Sequence, residues 1–423
     1  MDYIILPPDE MPEGKISLPL SKSISNRALI IGALSGATGC LKQVAKCDDT
    51  DVMVSALSSE ATENINIGAA GTAMRFLTAY YASQSGRTIT IDGSERMRQR
   101  PIKVLVDALR QCGAVIEYQG EEGFPPLKIT GTQLSGGVVE LSASISSQYI
   151  SALLMIAPKM SQGLTLKLIG DVMSRPYIMM TLNLMKRWGI NYEMSDNEIT
   201  IAPQQYHLAE FQVEADWSGA SYWYEMTALS SGCFDLVGLE KNSIQGDAKV
   251  ADIFGKLGVD SQWNDDGILE LVPTPDTTPR LVLDMCEQPD LAQTVVVTAC
   301  LLGIPFHITG LSTLKIKETN RLTALQTELR KLSFDVEIIN DSELAWSGER
   351  CPVDAIKPIA IETYEDHRMA MAFAPAAFFV PGLIIKNAGV ITKSYPDFWE
   401  HMRSVGFRVE DVEMFMKGKE DAQ

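Results

Sequence analysis

Two kinds of segment alternate along the chain. One is an amphipathic helix that runs into a glycine or other small residue and then a short strand. It recurs at 104–118 (VLVDALRQCGAVIEY), 181–194 (TLNLMKRWGINYEM), 250–263, 322–339 and 398–412. The small residues are Gly113, Gly189, Gly258, Ser333 and Gly406, spaced by 76, 69, 75 and 73 positions. A shortened copy at 49–67 puts Ser59 in the same role, 54 residues before Gly113. The second kind is an almost wholly apolar helix behind a polar or glycine-rich lead-in. Its copies are 21–34, 69–82, 146–158, 216–229, 289–303 and 365–379. Anchors at Gly71, Ser147, Ser218, Asp290 and His367 are spaced by 76, 71, 72 and 77. Two independent markers with one period predict six repeated units.

The amphipathic helices have a solvent face, whereas helices apolar all round must be buried. Six buried helices do not share one core easily, so the pattern predicts an α/β protein of two similar domains, three units each. Strand-rich stretches such as 87–94, 163–171 and 197–203 place sheets outside and helices inside. Parallel buried helices would present their N-termini together, where unsatisfied N–H groups and the macrodipole favour anions.

The charge balance sharpens that expectation. The 423 residues carry 36 Lys and Arg against 54 Asp and Glu, a formal charge of −18. Such a chain is a poor general binder of nucleic acid or anionic membrane, so anion binding requires its cations to be concentrated. No signal peptide is expected from the proline-broken N-terminus, and the longest apolar run, 369–385, is shorter than a membrane span and contains Pro375 and Pro381. The seven cysteines form no CxxC pair and the four histidines show no ligand spacing, so reduced thiols, no metal and a cytoplasmic location are expected.

The lead-ins carry the candidate chemistry. Lys22 and Arg27 flank hydroxyls before an apolar run, and the small residues of 68–72 (GAAGT) let a ligand approach backbone, with Arg75 a turn later. Arg96, Arg98 and Arg100 precede Pro101, read as the first residue of a helix. Ser146, Ser147 and Gln148 offer uncharged polar groups, and Ser174 and Tyr177 stand at the matching point one unit on. The second half supplies Asp290, the run Lys315 to Arg321, Asp366, His367, Arg368 and Lys393. Singly, each of these could be a surface charge, a turn or a helix cap. Their equivalent places in the repeat favour a shared role.

The stretches SKSISNRAL, GTAMR, RPI, SSQ, SRPY, KETNRL, DHRMAM and TKSYPDFW resemble, in order, the signatures of the 5-enolpyruvylshikimate-3-phosphate synthase family. The resemblance spans nearly the whole chain. It implies two domains of three βαβαββ units, 21–215 on the shikimate 3-phosphate side and 1–20 with 216–423 on the phosphoenolpyruvate side, with the active site in the cleft between them. It implies transfer of the enolpyruvyl group of phosphoenolpyruvate to the 5-hydroxyl of shikimate 3-phosphate by addition and elimination, without cofactor or metal, in a monomer. Lys22, Ser23, Arg27, Ser146, Ser147, Gln148, Ser174, Tyr177, Asp290 and Lys317 would hold shikimate 3-phosphate. Lys22, Gly71, Arg100, Gln148, Arg321, His367, Arg368 and Lys393 would hold phosphoenolpyruvate. Asp290 would take the hydroxyl proton, and Glu318, with Lys22 and Lys393 as rivals, would serve the methylene carbon. Seven close cations would repel, by about 4 kcal/mol per pair at 4 Å and ε near 20, so closure on ligand binding is expected.

Some positions depart from the family pattern: Leu20 for glycine, Ala69 for asparagine, Phe76 for proline, Thr313 for asparagine and Asn320 for aspartate. The alternatives are the sister family that uses UDP-N-acetylglucosamine, whose reactive cysteine is missing from 94–101, and a non-catalytic phospho-sugar binder.

Overall fold

The computed structural model describes residues 1–36, 41–58, 62–142, 146–170, 172–207, 210–352 and 358–420; Ser59 and Cys40 lie outside them. The chain divides into two compact units, Leu20–Val213 and Met1–Pro19 with Glu214–Gln423.

Among the described residues, five four-stranded sheets share one plan of a parallel strand pair extended by two antiparallel strands, which form a hairpin in four of the five. In the sheet built from Leu281–Asp284, Phe306–Thr309, Glu337–Ile339 and Glu343–Trp346, the first two strands are parallel and the others antiparallel. Each helix of the unit, Ala292–Leu302 and Arg321–Lys331, follows one of the first two strands. Burial alternates along the strands, as in Leu127–Thr130 and Leu164–Ile169, so one face packs inward and the other is more open. The remaining unit, in Leu20–Val213, has helices Lys22–Ser35 and Asp48–Leu57 but only an isolated parallel bridge, Leu41 to Phe211, among the described residues.

Chain ends complete two sheets of the other unit. Tyr3–Leu6 lies between Leu383–Ile385 and Arg408–Asp411, and Glu13–Ser17 pairs in parallel with Cys233–Val237.

The repeat markers have a backbone cause. Gly113, Gly189, Gly258, Ser333 and Gly406 all adopt positive φ, between 71° and 96°. A left-handed residue ends the helix and turns the chain toward the strand, which only small residues do cheaply. Two element boundaries differ from expectation. Helix Lys103–Gln111 starts two residues after Pro101, since Ile102 is its cap with a non-helical φ of −134°, its N–H donated to the Gly123 carbonyl at 2.8 Å. The helix at 250 is only Val250–Phe254, and Gly258 already lies in the long strand Leu257–Trp263.

The buried helices are Lys22–Ser35, Gly71–Ala82 and Ser147–Ile156 in one unit and Trp217–Ser230, Ala292–Leu302 and His367–Phe373 in the other. Their first turns touch within each unit. Gln148 Nε2 donates to Thr72 Oγ1 (3.1 Å), and Ser221 meets Thr294 hydroxyl to hydroxyl (3.2 Å). Among the described residues no helix is long and apolar enough to cross a membrane.

Candidate active site

In the unit Leu20–Val213, Ser21 caps the first buried helix and Lys22 pairs with Asp49 at 3.2 Å. Arg27, one turn on, is 3 % exposed and fully engaged. Its Nε donates to Thr181 Oγ1 (2.7 Å), Nη1 to the Ser23 carbonyl (2.9 Å), and Nη2 to Ser151 Oγ (3.3 Å) and the Tyr177 carbonyl (3.5 Å). Burial pulls its pKa down to about 10. The guanidinium thus ties the Ser23 turn to the Ser174–Tyr177 turn, where Ser174 has φ 55° and is buried. It also lies over the Phe76 ring at 5.3 Å, a contact a proline at 76 would not offer.

A second group gathers where helix Gly71–Ala82 begins. Arg100 is 8 % exposed and lies so close to Gly71 that a Cβ there would sit 2.7 Å from Nη1. Glycine at 71 therefore makes room for the guanidinium against the helix N-terminus. Tyr149 Oη donates to the Pro101 carbonyl at 2.5 Å, fixing the segment that carries Arg100. Gln148 reaches Thr72, while Ser146 caps its helix through the Gln148 N–H. Arg75 turns back to the Gly71 carbonyl (2.9 Å) and faces the Tyr149 ring.

In the other unit the cations are interleaved with carboxylates. Arg321 is 1 % exposed. Its Nε and Nη2 fork onto the wholly buried Asp366 (2.7 and 3.4 Å), Nη1 meets Asp290 (2.9 Å), and Nη2 also meets Glu318 (2.9 Å). Lys317 and Arg368 reach Asp290 at 3.3 and 3.4 Å, and Arg368 also donates to the Asp290 carbonyl. Within this unit the expected mutual repulsion is thereby relieved by Asp290, Glu318 and Asp366. Burial opposes ionisation of Asp290, but Lys317, Arg368 and Arg321 outweigh it and hold its carboxyl well below the usual range.

Asp290 occupies a 3-10 turn, Pro289–Leu291, just before its buried helix rather than within it. His367 is buried at the first position of its helix, 3.9 Å from Asp366. Lys393 donates to the Glu365 carbonyl at 2.7 Å. Asn320 caps helix Arg321–Lys331 by accepting the Thr323 N–H, a task asparagine performs as well as aspartate. The Thr313 hydroxyl is buried without a hydrogen-bond partner.

The structure thus brings Lys317, Glu318, Arg321, Arg368 and Asp290 together, and separately Arg100, Gly71 and Gln148. Asp366 stands in a candidate lead-in of the sequence, which assigned it no role of its own. Its position, capping an apolar helix and followed by His-Arg, was the available signal. Thr181 and Ser151, the hydroxyls that hold Arg27, had none. Among the described residues no group of three or more His, Cys, Asp and Glu could hold a metal ion.

A family model for EPSP synthase (3-phosphoshikimate 1-carboxyvinyltransferase) matches residues 58–402. The chain is 51% identical over 417 residues to a 3-phosphoshikimate 1-carboxyvinyltransferase of Bacteroides fragilis (strain YCH46), covering 97% of this chain and 99% of that one. The enzyme of that name from Vibrio atlanticus is 36% identical over 431 residues, covering 95% and 99%. An EPSP synthase structure from Acinetobacter baumannii shares the fold, with a TM-score of 0.76 at 20% identity over 97% of this chain and 100% of that one.

Proposed function

Because the chain belongs to the EPSP synthase family, we propose that it moves the enolpyruvyl group of phosphoenolpyruvate onto the 5-hydroxyl of shikimate 3-phosphate, releasing phosphate. The observation that carries the assignment of roles is the Asp290 knot: one carboxylate facing Lys317, Arg321 and Arg368, with Glu318 on the same arginine. Guanidinium forks and ammonium groups match phosphate and carboxylate, and both substrates are rich in these.

In this reading, shikimate 3-phosphate is held by Lys22, Ser23, Ser146, Ser147, Gln148, Ser174, Tyr177 and Lys317. Arg27 braces the turns that carry several of them. Phosphoenolpyruvate is held by Lys22, Arg100, Gln148, Arg321, Arg368 and Lys393, with Gly71 clearing space. His367 stands beside Arg368 and Asp366 in this group.

Asp290 accepts the proton of the 5-hydroxyl as its oxygen bonds to C2 of phosphoenolpyruvate, while C3 gains a proton from Glu318. The tetrahedral adduct then returns a C3 proton to the Glu318 carboxylate and expels phosphate, restoring the enol double bond. The cations stabilise charge on the departing phosphate. Glu318 starts ion-paired with Arg321, and binding of substrate anions to that arginine weakens the pair so that the carboxyl can carry a proton.

A phosphate-release assay with phosphoenolpyruvate and either shikimate 3-phosphate or UDP-N-acetylglucosamine tests the reading. Turnover is expected with the first acceptor only. Lys22→Ala and Arg100→Ala should each abolish it while circular dichroism stays unchanged; near-normal rates in either variant would remove that residue from the scheme.

A further inference from the structure

Helix Arg321–Lys331 grips the segment before His367 at two points. At its start Arg321 holds Asp366; two turns later Glu328, wholly buried, holds the approach to it. Glu328 Oε2 accepts from Lys331 Nζ (2.6 Å) and from the Glu362 backbone N–H (3.0 Å), and Oε1 accepts from Tyr364 Oη (2.6 Å). Between these grips the chain does something costly. Tyr364 and Glu365 both have positive φ, 54° and 57°, in consecutive non-glycine residues. Such a turn persists only where its surroundings over-determine it.

The turn sets where three charged groups stand. It delivers Asp366, which caps its helix through the Arg368 N–H and receives Arg321. It aims the Glu365 carbonyl that holds Lys393, while the Glu365 carboxylate takes the Asn387 amide (2.7 Å). Burial and the adjoining Glu328 push the Tyr364 phenol upward, so its hydroxyl stays a donor. Neither Glu328 nor Tyr364 has a part in the chemistry proposed above.

We propose that Glu328, through the Tyr364 hydroxyl and the Glu362 amide, is a positioning residue that fixes Asp366, Arg368 and Lys393 for phosphoenolpyruvate. This rests on the substrate assignment above. Tyr364→Phe is the decisive variant, because the ring is 37 % exposed and only the hydroxyl is lost. It should raise KM for phosphoenolpyruvate about tenfold, the effect of a displaced charged contact, while leaving KM for shikimate 3-phosphate within about twofold. Hydrogen exchange at 362–368 should quicken in the ligand-free protein by more than at the sheets of the same unit. Glu328→Gln should show the same KM pattern, and adding Tyr364→Phe to it should cost little more. Unchanged exchange at 362–368 in Tyr364→Phe, or an equal rise in both KM values, would overturn the proposal. A wild-type protein inert toward this substrate pair would refute the substrate assignment, yet the exchange measurement would still decide whether Glu328 and Tyr364 fix the turn.

Discussion

Asp366→Asn offers a clean test of the buried charge network. Asparagine keeps the size of the side chain and an oxygen to cap the helix, but removes the charge opposite Arg321. Both partners are out of solvent, at 2 % and 0 % side-chain exposure, and the contact is two-pronged. Removing one member of a buried pair costs about 3–5 kcal/mol. Arg321 keeps Asp290 and Glu318, so the lower end, about 3 kcal/mol, is expected. Asp366→Ala should lose about 1 kcal/mol more, since the cap goes too. Urea unfolding followed by tryptophan fluorescence is the natural assay. Of the six tryptophans, Trp217, Trp223, Trp263, Trp346 and Trp399 lie in the unit with Asp366 and only Trp188 in the other, so the signal reports mainly the perturbed unit. A two-unit chain need not unfold in one step, and the transition carrying most of the fluorescence is the one to compare. A loss below about 1 kcal/mol, the scale of an exposed pair, would refute the reasoning. So would an equal loss in an Arg321→Met background, where the partner is already absent.

Two further outcomes follow from single positions. Gly71→Ala puts a methyl 2.7 Å from Arg100 Nη1, and a flexible guanidinium can yield; KM for phosphoenolpyruvate should rise with little change in unfolding temperature, and an unchanged KM would show that Arg100 does not need that place. Glu225 is wholly buried in helix Trp217–Ser230 with neither carboxylate oxygen hydrogen-bonded, and burial raises its pKa well above 4.5. A raised folded-state pKa means that stability is fully present below about pH 4.5, the unfolded value, and falls as pH rises toward the folded value. Glu225→Gln should therefore stabilise the protein at neutral pH and flatten this decline, as read from unfolding midpoints between pH 4 and 8; a steeper decline would contradict the burial argument.

The repeat was legible because its markers serve a backbone need: a left-handed residue after each amphipathic helix restricts the choice to glycine or Ser333 at a regular interval. The apolar helices were legible because burial on all sides removes polar periodicity. The pairing partners were not, since Arg27 meets Thr181 across 154 residues and nothing local in either segment announces it. The helix limits near 101 and 250 were hidden for similar reasons: Ile102 takes a non-helical cap conformation, and the strand pairing with 269–277 begins already at Leu257. Not every acidic partner was legible. Lysines and arginines in the lead-ins drew attention, while Asp49, which pairs with Lys22, was indistinguishable from the other acidic residues of an acidic chain.

The placement of Tyr3–Leu6 between strands from the far end of the chain bears on how the molecule is made. A ribosome releases residues in order, and Leu20–Val213 is a contiguous stretch that can fold as soon as it has emerged. The other unit has no such freedom, because its strand Tyr3–Leu6 waits for Leu383–Ile385 and Arg408–Asp411, which are synthesised long after it. Until then an apolar ribbon near the start of the polypeptide lacks its neighbours on both sides, and a chaperone that shields it would serve the nascent chain longest there.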